Sequence, residues 1–122
     1  MSDLALRVSL LTTALMLVAG VLDSLAFTYS ASIWREGKLI WPVVGKAGLS
    51  FSLGIATYWL AIRYLGQVGV VMPEIQTLIW FAATIIGVMV LGGRFPQWAV
   101  IDQAVAVVAL ASLGWLIVRT SA

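Results

Sequence analysis

The sequence predicts an all-α membrane protein with four transmembrane helices in an up-down bundle joined by short loops. Three observations carry that expectation. Of 122 residues, 62% are hydrophobic and only 10% charged, against about 25% charged in soluble domains. The apolar residues gather in four runs, roughly 6–34, 39–64, 67–91 and 97–118, and about 20 residues suffice to cross a bilayer. The connections are REGK at 35–38, LGQ at 65–67 and GGRFP at 92–96, short enough to make neighbouring helices antiparallel. Residues 1–122 therefore read as one domain with both termini on the same side, embedded in a lipid bilayer.

The first run begins after Arg7 and contains Ser24-Leu25-Ala26, which has the small-x-small form of a signal-peptide cleavage site. The apolar stretch continues past that point to Trp34, so the segment is expected to be retained as the first helix. Small and polar residues recur along it at spacings of three and four: Ser9, Thr13, Met16, Gly20, Asp23, Phe27 and Ser30. Such a stripe fits either an inward-facing site or a close helix-packing seam. Asp23 lies about 16 Å from Trp34 at 1.5 Å per residue, near the centre of the helix.

The second run carries Lys46 near its start and Tyr58, Trp59 and Arg63 towards its end. Tyr58, Trp59 and Trp80 lie deep enough to flank an organic cation, or to face lipid and neighbouring helices. Trp34, Trp41, Trp98 and Trp115 lie near helix ends, where interfacial belts form. In the third run Pro73 immediately precedes Glu74, and proline inside a helix releases the carbonyl four residues back and bends the axis. The fourth run places Ala104, Ala111 and Gly114 among Val and Leu; small residues let helix backbones approach closely in lipid, so an oligomer contact is expected there. The stretches TYSASIWREG (28–37) and TYWLAIRYLG (57–66) match at Thr, Tyr, Ile and Gly, the echo expected of either an internal repeat or shared helix-end chemistry.

Charge narrows function further. The chain has no His and no Cys, which removes His/Cys zinc sites, disulfides and His-dependent triads. No enzyme, metal or cofactor is expected, and the thin spread of basic residues marks no nucleic-acid surface. Arg7, Arg63 and Arg119 fall on the side of the termini, against Arg35, Lys38 and Arg94 on the other. That balance is compatible with one weakly favoured orientation, with orientation set by a partner, or with copies inserted both ways. Ionisable groups at membrane depth cost several kcal/mol and mark function or pairing. Four qualify: Asp23, Lys46, Glu74 and Asp102. Lys46 with Asp102 and Arg63 with Glu74 are the expected ion pairs. Lys46 could instead snorkel outward or reach Asp23; Asp23, the deepest acid, is the first choice for a substrate and proton site, with Met16 and Gly20 on its face, and Glu74 is the second.

The segments LIWPVVG (39–45), GIATYWLAIRYLGQVGVV (54–71) and LGGRF (91–95), followed by a last Ala-rich helix, resemble the drug/metabolite transporter superfamily. Four spans in this length match its small multidrug resistance branch. VGVVMP is similar to the four-helix flippase subunits that move lipid-linked aminosugars, and GVLDSLAF resembles helix starts in EamA-type chains. The branch stays open, because MPEI stands at 72–75 where the multidrug branch carries a Tyr and a Trp, and LGGRF lacks the acidic residue of the EamA-type pattern. The resemblance implies proton-coupled export or flipping of a small amphipathic, cationic or lipid-linked substrate, with a homodimer or a related membrane subunit as partner. It also implies residence in a bacterial inner membrane. Counting back from Trp41-Pro42, Asp23 falls beside the position of the family's helix-1 glutamate. The reading from another class is a non-transporting accessory subunit packed within a larger membrane complex.

Overall fold

A computed structural model describes residues 2–120. Four long helices account for most of them: α1 (Asp3–Ser30), α2 (Trp41–Gln67), α3 (Pro73–Gly92) and α4 (Val100–Thr120). Of these, α1, α3 and α4 are each long and apolar enough to cross a membrane. The 27-residue α2 has the length too, but it spreads Lys46, Arg63 and several hydroxyl-bearing residues along its course.

The helix ends follow local chemistry. Ser2 caps α1 by accepting the Ala5 amide at 3.1 Å, and Asp3 sits in the first turn, where a negative charge suits the helix dipole. The first two helices end and begin inside the expected limits of 34 and 39. Between them Trp34–Arg35 (β1) and Lys38–Leu39 (β2) pair antiparallel, with Glu36 and Gly37 both at positive φ, 52° and 76°. Two consecutive positive φ values at a two-residue loop make the mirror-image turn that matches strand twist. The REGK connection is thus a small β-hairpin, and Pro42 in the first turn of α2 fixes where the helix resumes.

The expected kink at Pro73 is not found. Pro73 is the first residue of α3, where its missing N–H would have had no intrahelical partner anyway. Gly69, at φ 87°, turns the chain ahead of it, so Val68–Met72 is a connection and not helix. Gly93 closes α3 in the left-handed conformation, and a single 3-10 turn at Phe95–Gln97 leads to α4.

The helices pack in the spatial order α2, α1, α3, α4. α1 is the central element, covered by α2 on one side and α3 on the other, while α2 and α3 barely meet and α4 rests on α3. The small core is Met16, Ala61 and Leu65, with Leu15, Tyr58, Val70, Ile79 and Trp80 packed around it. α4 has no buried residue. Val100, Ile101, Val105, Val108 and Val118 are all more than 60% exposed, leaving most of an apolar helix uncovered by its own chain.

Candidate functional site

The centre of the molecule is polar. Asp23 and Ser24 are the largest side chains buried without residual exposure, and they are adjacent on α1 where it passes between its two neighbours. Asp23 reaches both: the indole Nε1 of Trp80 on α3 donates to its Oδ2, and its carboxylate lies against Gly54 on α2. A Cβ on Gly54 would stand 2.9 Å from the Asp23 Cγ, so only glycine lets α2 close over the acid. Ser24 holds α3. Its hydroxyl is within hydrogen-bonding distance of the Gly20 carbonyl at 2.5 Å and of the Thr84 carbonyl at 3.0 Å. Gly87 supplies the space, since a Cβ there would lie 2.8 Å from the Ser24 Cβ.

Two atoms in this knot have no hydrogen-bond partner, Asp23 Oδ1 and Thr84 Oγ1. No lysine or arginine forms an ion pair with Asp23 among the described residues. A sealed carboxyl group with one donor and no counter-charge is a costly thing to bury, and Oδ1 is the atom left open to a further partner. Apolar grooves flank the α1–α3 crossing. One of about 390 Å³ is lined by Phe27, Phe81, Thr84, Ile85, Val88 and Met89, and one of about 250 Å³ runs along Leu17, Val21, Ala83 and Gly87. Neither is lined by Asp23.

Of the residues singled out from the sequence, the structure gathers four around this centre. Met16 is buried beneath Asp23's helix turn, and Tyr58 packs at 5.9 Å on Trp80, which joins it to the acid through one ring. Gly20 faces α3, where a Cβ would meet Ala83 Cβ at 2.7 Å, so in this conformation it is a packing contact. The others lie apart. Trp59 is 68% exposed. Glu74 and Asp102 are exposed in the first turns of α3 and α4. Arg63 is exposed, and the Lys46 ammonium lies 6.0 Å from the centre of the Tyr29 ring. The Lys46–Asp102 and Arg63–Glu74 ion pairs do not form among the described residues. On α4, Ala104 and Ala111 are exposed and Gly114 half-buried.

Sequence reasoning did not assign Ser24, Thr84, Gly54 or Gly87 to the site. Ser24 drew notice only for the small-x-small form it shares with Leu25 and Ala26, yet it directly follows Asp23. The signal that could have found the two glycines is spacing: Gly54 and Tyr58 share a face of α2, as Trp80, Thr84 and Gly87 share a face of α3.

Trp80→Phe tests the indole bond, because it keeps a ring against Tyr58 and Phe81 and removes the donor. It should lower stability by about 0.5–1.5 kcal/mol, the usual net worth of one hydrogen bond. In an Asp23→Leu background the same change should cost distinctly less, measured as a double-mutant cycle from unfolding midpoints in denaturing detergent.

Comparison of the chain with protein-family models, with curated proteins and with solved structures finds no match. The functional reading therefore rests on the site.

Proposed function

We propose that the chain is a four-helix membrane transporter of the drug/metabolite type, in which Asp23 couples proton movement to export or flipping of a small amphipathic, cationic or lipid-linked substrate. The single observation that carries this reading is the enclosed Asp23 carboxyl, held on one oxygen by Trp80 and unpartnered on the other. An acid at this depth alternates between two favourable partners, a proton and a cationic or proton-donating ligand. Because one site cannot favour both at once, binding of one releases the other. Tyr58 and Trp80 offer the aromatic surface that an organic cation prefers.

The test is proton release. Purified protein in weakly buffered detergent, challenged with a panel of lipophilic quaternary cations, guanidinium compounds and polyprenyl-phosphate aminosugars, should release protons on binding at least one of them. Asp23→Asn should release none. A wild-type protein that releases no protons with any class would remove the support for transport.

The bareness of α4 favours a partner under either reading. For the transporter the partner is a second copy, with Ala104, Ala111 and Gly114 at the contact. Ala111→Cys, the sole thiol in the chain, should crosslink to a dimer in membranes, whereas a thiol at exposed Trp59 should not. An accessory subunit would instead copurify only within a much larger complex, with Ala111→Cys joined to a different chain.

A further inference from the structure

The reading of Asp23 as the coupling residue leaves open how water or ligand reaches a side chain with no exposed surface. The answer lies in how differently α2 and α3 are fastened to α1. α3 is tied by two cross-helix hydrogen bonds, Trp80 to Asp23 and Ser24 to the Thr84 carbonyl. Among the described residues no side-chain hydrogen bond joins α1 to α2. Their seam is longer but mostly apolar, built of the Met16, Ala61 and Leu65 core, an edge-on contact of Phe27 with Phe51 at 5.1 Å, and the close approach of Gly54 to Asp23, with the Lys46 ammonium 6.0 Å from the Tyr29 ring at the hairpin end. In water the larger apolar seam would hold best. In lipid the apolar seam loses that advantage, because hydrocarbon can replace an apolar contact but offers nothing to a parted hydrogen bond.

From this we infer that α1 and α3 move as one body, and that access to Asp23 opens when α2 parts from them, with Gly54 as the residue that decides closure. Phe51, Gly54 and Tyr58 follow one another at three and four residues and form a single wall of α2. Phe51 covers Phe27 one turn along α1 from the acid, Gly54 covers the carboxyl, and Tyr58 covers the indole that holds it. Parting this wall uncovers Asp23 and frees one face of Trp80 together, so the acid and the aromatic surface become available in the same step. The inference rests on the proposed coupling role for its purpose, but its geometry does not depend on transport.

Labelling by dicyclohexylcarbodiimide, an apolar reagent that modifies protonated carboxyls, reads the opening directly. The chain has no native cysteine, so Phe27→Cys with Phe51→Cys can be joined by a short bifunctional thiol reagent one turn from Gly54. Peptide mass spectrometry separates an adduct on Asp23 from adducts on the exposed acids. Crosslinking should slow Asp23 labelling by roughly tenfold or more relative to the same variant left open, because labelling then requires the rarer parting of the hydrogen-bonded pair. Gly54→Ala, which cannot close, should label several-fold faster than the wild type. Equal labelling with and without the crosslink overturns the inference even if Gly54→Ala proves unstable, and so does a folded Gly54→Ala protein that labels at the wild-type rate. Should the crosslink block labelling while the wild type releases no protons to any ligand, the gate stands and the transporter reading falls.

Discussion

Asp23→Asn should yield a protein that assembles normally and, with Asp23 the proposed coupling residue, loses the pH dependence of ligand binding and any proton-driven flux. The amide has nearly the shape of the acid and can still accept the Trp80 indole hydrogen on its oxygen, so the α1–α3 tie survives. What disappears is titration. With no lysine or arginine paired to Asp23, removing its charge strands no counter-charge, and the folding cost should stay within about 1 kcal/mol, the range of a single neutral hydrogen bond. Flux in proteoliposomes under an imposed pH gradient should fall to background, while an uncharged ligand should bind equally at low and high pH. Retained pH-dependent activity would assign the coupling to another acid, Glu74 or Asp102. Loss of folding would make Asp23 a structural residue.

The largest effect on folding is expected from Gly87→Val. The new Cβ would lie 2.8 Å from the Ser24 Cβ, against a fully buried side chain held by the Ser24 to Thr84 hydrogen bond. Overpacking of a filled interior costs about 1–3 kcal/mol, and forcing Ser24 aside exposes its hydroxyl and the Thr84 carbonyl to hydrocarbon as well. A strongly lowered unfolding midpoint and loss of monodisperse protein in mild detergent should result. Gly48→Val supplies the contrast, because nothing lies within 4 Å of a Cβ at that position. If both variants unfold alike, helix propensity and not packing controls the outcome.

How much of this was legible in the sequence depends on how local the cause was. Apolar run lengths located the four helices, but Asp23, counted to the middle of a run ending at Trp34, lies only seven residues before the end of α1 at Ser30. The hairpin was missed because Ile33 and Trp34 extend the apolar run of α1 without a break, while the chain reversal is made by two residues, Glu36 and Gly37. Pro73 misled in the same way: its effect depends on whether a turn of helix precedes it, and Gly69 removes that turn. The ion pairs were inferred from charges placed at similar depth, but Lys46 and Arg63 are on the outer surface of α2 and Asp102 and Glu74 open their helices. Depth does not report azimuth. Ser24 and Gly87 became meaningful only across 60 residues of sequence, once α1 and α3 were side by side.

The β-hairpin between α1 and α2 has a mechanical meaning beyond its length. Two paired residues on each arm and a rigid two-residue turn hold the start of α2 against the end of α1, whereas its far end is held by the packing of Ala61 and Leu65 on Met16 and leads into the Gly69 connection, which has no strand pairing. A helix anchored at one end swings like a lever. Gly54 lies about 20 Å from the anchored Trp41 at 1.5 Å per residue, so a tilt of about 10° carries it about 3 Å, roughly the width of a water molecule. The same tilt moves Gln67 about twice as far, at the end of the molecule where Ser2, Ala5 and Gln67 border an existing groove of about 460 Å³. A pivot at the hairpin would thus widen the α1–α2 seam most towards the terminal side of the molecule and least beside the hairpin.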